Sequence, residues 1–318
     1  MRKLGALVVL AFAVFCGGAL AEDPTPAPAP QSPPEKICQL SQAGSLDLKT
    51  SGTGMVFLDA DLDGHKGRFL VDTGGLGLVL SSSVAQHLQG DLHRTAFGVR
   101  MVGGVDLDVE IAAKRLQIAN FAITAPRFII VRYDTVPLEE MGIIQPHALW
   151  PSYDIELDFV KGKLNLFLPD QCPGHVVYWT HDAYASVPMQ ADLFGHLTVQ
   201  AQLDGNTIDT LLDTGAQTST ASLRSVSHNL DIDERTQGMK AAGSINFNGN
   251  VEAKRYRYPF KTLSFEGLTI YNPNIEIADT GNDSRHDPLV LGIGVLRQLH
   301  LFIAYDEDRV YLTPAEAH

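Results

Sequence analysis

The stretch Phe69-Leu70-Val71-Asp72-Thr73-Gly74-Gly75 returns later in the chain as Thr210-Leu211-Leu212-Asp213-Thr214-Gly215-Ala216. The two copies stand 141 residues apart. Upstream, Leu62-Asp63-Gly64 and Leu203-Asp204-Gly205 carry the same offset, so no insertion separates them from the Asp-Thr-Gly that follows. In each copy an alternating segment (Met55 to Asp63; His196 to Leu203) reads as a strand and Asp-Gly as a tight turn. The apolar run after the turn reads as a second strand that stops at the aspartate. Ser81-Ser82-Ser83 and Thr218-Ser219-Thr220 come next. A lone Asp-Thr-Gly is ordinarily just a turn. Two at one offset, inside a longer match, mark a duplicated unit.

The ends of the two units also agree. Ile155-Glu156-Leu157-Asp158-Phe159 runs through Lys161-Gly162-Lys163 to Leu164-Asn165-Leu166-Phe167. Leu301-Phe302-Ile303-Ala304-Tyr305 runs through Glu307-Asp308-Arg309 to Val310-Tyr311-Leu312. Each is a strand, a polar turn and a strand. The sequence therefore predicts an all-β fold of two homologous lobes, 45–170 and 185–318, joined by a linker at 171–184.

Composition agrees with two domains. The chain has 318 residues, 45% of them apolar, which is enough for two cores. Its formal charge is −13, from 24 basic and 37 acidic residues. That balance argues against a phosphate-binding surface, so no nucleic-acid partner is expected. Gly292-Ile293-Gly294 is a partial glycine fingerprint that opens no βαβ unit, which excludes nucleotide binding.

The first residues read as an address. A basic start (Arg2, Lys3), an apolar run to Leu20 and the A-x-A pattern Ala19-Leu20-Ala21 form a signal peptide over 1–21. Its removal takes the charge from −13 to −15 and leaves no expected membrane insertion. Residues 22–44 contain DPTPAPAPQSPPE, a Pro- and Ala-rich tether of polyproline type. An exported destination follows, periplasmic first and fully secreted as the alternative. Cys38 and Cys172 remain after cleavage, and an even count in an exported chain suggests a disulfide between them. No cysteine and histidine spacing suits zinc, so neither metal nor cofactor is expected.

Two lobes, each with an apolar pair running into Asp-Thr-Gly, resemble the pepsin-like and retropepsin-like aspartic proteases. Lobe size and the Gly or Ala after Asp-Thr-Gly make them more similar to tandem retropepsin-like β-barrel lobes of bacterial exported type. The resemblance covers nearly everything after the tether. It implies an active site between the lobes, an aspartic-type endopeptidase activity, and a protein or peptide substrate bound in extended form. With both lobes in one chain, a monomer suffices. The family's later motif, an apolar pair followed by Gly, stands as Leu289-Val290-Leu291-Gly292 in the second lobe. In the first lobe, Gly142-Ile143-Ile144-Gln145-Pro146 puts Gln or Pro, depending on alignment, where that Gly is expected.

The resemblance assigns Asp72 and Asp213 as a catalytic dyad. Two carboxyls a few Å apart share a proton and titrate as a pair, which suits them to activate a water. Gly74 and Gly215 allow the backbone close to the carboxyls. Thr73 and Thr214, by resemblance, bond across to the opposite loop. Gly75 and Ala216 lack the hydroxyl that pepsins use to depress the pair's pKa, so a mildly acidic, bell-shaped optimum is expected. Gly103-Gly104 within 97–106, and 238–250 with Gly243, read as hairpin flaps over the cleft. The competing reading is a catalytically silent two-lobe module that binds peptides or anchors a partner.

Overall fold

The computed structural model describes residues 38–88, 90–100, 106–131, 140–169, 171–191, 195–247, 251–279, 281 and 284–316. The signal and residues 22–37 of the tether lie outside them, as do Gly103 and Gly104. The first strand, Gln42–Asp47, begins ahead of the lobe boundary at 45.

Almost every element occurs twice, in the same order. Gln42–Asp47 answers to Ala185–Ala191, Val56–Leu62 to Leu197–Leu203, and His65–Val71 to Asn206–Asp213. Leu78–Ser81 with the helix Ser82–Ala85 answers to Ser219–Ser222 with the helix Leu223–Leu230. The hairpins Leu92–Arg100/Asp106–Ala112 and Arg115–Ile118/Phe121–Thr124 answer to Lys240–Phe247/Val251–Arg257 and Thr262–Phe265/Leu268–Tyr271. Then Arg127–Val131 answers to Ile275–Asp279, Glu140–Ile144 to Leu289–Gly292, and the helix Pro146–Leu149 to Ile293–Leu296. Asp154–Asp158 and Lys163–Phe167 close the first unit as Leu299–Ala304 and Arg309–Pro314 close the second. This is the two-lobe all-β fold that the repeat predicts.

The repeat extends to turn chemistry. Asp63 and Gly64 both have positive φ, as do Asp204 and Gly205. That is the backbone of a two-residue hairpin turn, which Asp-Gly adopts at low cost. The Asp63 carboxylate accepts from Lys114 and Arg115 N–H, and Asp204 from Lys261 and Thr262 N–H. Each turn is thereby pinned to the second of the two hairpins that follow it in its own lobe.

The lobes meet along a seam. Asp154–Asp158 pairs antiparallel with Leu299–Ala304, with Ile155 opposite Ile303 and Leu157 opposite Leu301. Both strands are buried throughout. Outward from this seam, Lys163–Phe167 then Gln42–Asp47 extend one side, and Arg309–Pro314 then Ala185–Ala191 the other. Leu157, Leu164, Leu301 and Ile303 belong to the main core, whereas Phe167, Phe302, Ala304 and Tyr311 form a second cluster. Side chains alternate across a strand, so the two clusters lie on opposite faces of this floor.

The linker covers the second face. Val176, Val177 and Trp179 pack into that cluster. Trp179 stacks on His300 at 3.9 Å and donates from Nε1 to Thr313. Beneath it the buried Glu156 carboxylate is fully engaged by His300 (2.8 Å), Asn165 (2.5 Å) and Tyr178 (3.0 Å). A disulfide joins Cys38 to Cys172, closing 134 residues of chain between the start of the described structure and the linker.

Candidate active site

Each Asp-Thr-Gly hangs from the end of a strand held on both sides. In the first lobe, Glu140–Ile144 runs parallel to His65–Val71 and antiparallel to Leu78–Ser81. In the second, Leu289–Gly292 runs parallel to Asn206–Asp213 and antiparallel to Ser219–Ser222. The segments before and after each aspartate are thus tied to one inserted strand. Asp72 N–H donates to Ile144 C=O at 3.0 Å.

The two loops grip each other through their threonines. Thr73 Oγ1 donates to Leu212 C=O at 2.6 Å, and Thr214 Oγ1 donates to Val71 C=O at 2.7 Å. Each hydroxyl also accepts the opposite threonine's N–H, at 3.1 Å in both directions. Both threonines are buried. Each donor is a hydroxyl reaching the other lobe, so neither loop can shift without stranding buried backbone groups.

This grip sets the carboxyls face to face. A Cβ added to Gly215 would lie 2.2 Å from Asp72 Cγ, and one on Gly74 would lie 2.5 Å from Asp213 Cγ. Each aspartate therefore packs on the glycine of the opposite loop, a distance no side chain allows. Gly74 N–H donates to Asp72 Oδ1 at 2.9 Å. Gly215 and Ala216 N–H both converge on Asp213 Oδ1, at 2.8 and 2.9 Å. A Cβ on Gly75 would sit 2.8 Å from Asp72 Oδ2, so the residue after the first Asp-Thr-Gly has no room for a side chain.

Burial holds the Asp72 carboxyl well above the usual carboxylate range. The facing Asp213 adds to this, by charge repulsion and by a hydrogen bond to the Asp72 side chain, while Gly74 and Gly215 N–H pull the other way. The net effect is that Asp72 holds a proton more readily than a free carboxyl does. An acid and an adjacent carboxylate are the groups needed to activate a water and polarise a carbonyl.

The alignment left open by the sequence is resolved. Ile144 stands opposite Val71 as Leu291 stands opposite Leu212, so Gln145 occupies the place of Gly292. Gln145 is fully buried and caps the helix Pro146–Leu149 by accepting from Ala148 N–H. Its backbone N–H donates to Gly77 C=O at 2.9 Å. A Cβ on Gly292 would instead meet Ala216 O at 2.6 Å.

The remaining sequence-derived positions fall as follows. The first flap segment forms a hairpin, Leu92–Arg100 with Asp106–Ala112, around residues outside the described set. Gly243 lies inside the strand Lys240–Phe247, at a register shift between Ala241 and Ser244, with φ +86. It marks a bulge in the second hairpin and not its tip. Among the described residues no helix is long and apolar enough to cross a membrane. Sequence reasoning missed the Gln145 side-chain contacts and the Glu156–His300 pair.

Comparison with known proteins agrees with the two-lobe fold. The family described as aspartyl protease matches residues 58–144 and 199–295, one match in each lobe. The chain belongs to that family. Among solved structures it is similar to the aspartic proteinase from Irpex lacteus, with a TM-score of 0.50 and 12% identity. That likeness covers 86% of this chain and 97% of the other, and speaks for the fold. No curated protein sequence matches the chain.

Proposed function

We propose that this chain is an exported aspartic endopeptidase in which Asp72 and Asp213 activate one water against a peptide bond of a protein substrate. The observation that carries this reading is the face-to-face placement of the two carboxyls by the buried Thr73–Thr214 grip. In the resting dyad Asp72 holds the proton. Asp213 takes a proton from the water, whose oxygen adds to the scissile carbonyl carbon. Asp72 gives its proton to the carbonyl oxygen, yielding a gem-diol. On collapse the C–N bond breaks, Asp213 protonates the leaving nitrogen, and Asp72 regains a proton from the diol.

The substrate lies extended between the lobes beneath the hairpins Leu92–Arg100/Asp106–Ala112 and Lys240–Phe247/Val251–Arg257, recognised through its backbone. The disulfide favours an oxidising compartment, the periplasm first. One chain supplies both aspartates, so the active unit is a monomer.

The test is cleavage of a denatured protein between about pH 3 and about pH 7, where a shared-proton dyad would work. The protein is run beside Asp72→Asn and Asp213→Asn. Fragments from the native chain and none from either variant are expected. A native chain that only binds the unfolded protein, without cutting it, would favour the silent peptide-binding module.

A further inference from the structure

We propose that Gln145 is a positioning residue that holds the Asp72 loop in register with the strand pair carrying Asp213. This rests on the dyad reading above. Gln145 follows Ile144, whose carbonyl receives Asp72 N–H at 3.0 Å. Its own N–H goes to Gly77 C=O at 2.9 Å, so both arms of the Asp72 loop are fastened to consecutive residues. Its side chain then leaves the first lobe. Nε2 donates to Gly195 C=O at 2.8 Å, fifty residues away in the second lobe.

Gly195 stands just before Leu197–Leu203, which pairs with Asn206–Asp213, and Thr198 faces Leu211. The connection from Asp72 through Ile144, Gln145 and Gly195 thus reaches the strand that ends in Asp213. Its Oε1 is held by Ala148 N–H at 2.5 Å, which fixes the amide with its donor pointing across. Gly195 has φ +82, and a Cβ there would lie 2.5 Å from Gln145 Nε2. Among the described residues the second lobe does not repeat this bond. Gly292, at the equivalent place, lacks a side chain, and Gly54, 141 residues before Gly195, meets Arg297 instead. Besides the seam strands, the lobes are thus joined near the dyad by the threonines in both directions and by Gln145 from the first lobe.

A bond of this kind acts on the spacing of the dyad. The charged group facing Asp72 is Asp213, and the residues packed on its carboxyl, Gly74, Gly75 and Gly215, carry no charge. Loosening the tie lets the carboxyls part and eases the repulsion that adds to burial in raising the Asp72 pKa.

The test replaces Gln145 in the full chain with Met, which keeps the volume and loses the donor, and separately with Gly, the second lobe's residue. Thermal unfolding establishes that each variant is folded. Asp72 titration is followed by carbon NMR of labelled aspartate, and peptide cleavage by kcat and KM across pH. For both variants the Asp72 titration and the alkaline limb of kcat should move down by about half a pH unit or more. The kcat should fall by about tenfold, with KM within about twofold. Folded variants with native titration and native kcat would overturn the proposal while leaving the dyad intact. A native chain that cleaves nothing would instead remove the dyad reading, and the titration alone would still decide the role of Gln145.

Discussion

Gly215 lies so close to Asp72 that a Cβ on it would stand 2.2 Å from the carboxyl carbon. Gly74 has the same relation to Asp213 at 2.5 Å. The carboxyls can face one another because each rests on bare backbone from the other lobe. Gly215→Ala or Gly74→Ala should therefore push the opposite carboxylate out of line. Activity should fall by at least about a hundredfold, as expected for a displacement near 1 Å, with about 1–3 kcal/mol of stability lost to overpacking. Steady-state kinetics and urea unfolding check both numbers.

The threonine grip predicts an unequal pair of substitutions. Thr214→Val keeps the shape but leaves Val71 C=O and Thr73 N–H buried without partners. The cost should be about 2–4 kcal/mol, two unsatisfied backbone groups at the usual penalty. Thr214→Ser restores the hydroxyl and loses one methyl, so it should cost about 1 kcal/mol. Denaturant midpoints would distinguish them, and equal losses would mean that packing, and not the hydroxyl, holds the loops.

Asp72 links activity and stability to pH in the same sense, since both fall as its proton is lost. Its folded pKa is raised, chiefly by burial and then by Asp213. A raised carboxyl contributes stability that is fully present below its unfolded pKa of about 3.9 and is lost as pH rises through the folded value. Asp72→Asn removes that loss. It should raise the melting temperature at neutral pH, give no gain near pH 3, and abolish cleavage throughout. The native pH–rate curve should be a bell whose alkaline limb follows loss of the Asp72 proton. Ala216→Ser, which adds a hydroxyl beside the dyad, should move the acid limb of the pair to lower pH.

The disulfide should matter to stability more than to chemistry. Cys38–Cys172 closes a long loop and fastens the linker beneath the floor of the two lobes. Replacing both cysteines by Ser should cost about 4–5 kcal/mol on the chain-entropy account and leave kcat within about twofold. Paired calorimetry and kinetics measure this.

Much of this fold was readable because its signals are local and duplicated. Alternation marked Val56–Leu62 and Leu197–Leu203, Asp-Gly marked their turns, and the common offset placed Asp72 and Asp213 in equivalent loops. The departure at Gln145 was readable too, as a residue out of pattern. Its partner was not, because the Gly195 carbonyl reaches it only when the second lobe is docked. The same holds for Glu156 and His300, which are 144 residues apart and meet across the seam strands. Gly243 read as a flap glycine because Gly and Asn crowd that stretch. The bulge that uses its positive φ depends on strand register, which composition does not encode.

The central claim is that Asp72 and Asp213 act as one catalytic unit, and the kcat/KM of Asp72→Asn, Asp213→Asn and the double variant on one peptide tests it most directly. If the dyad shares one water and one proton, each single substitution should reduce kcat/KM to the background of the double variant, with no further loss on combining them. Cleavage at the native rate in either single variant would contradict the account.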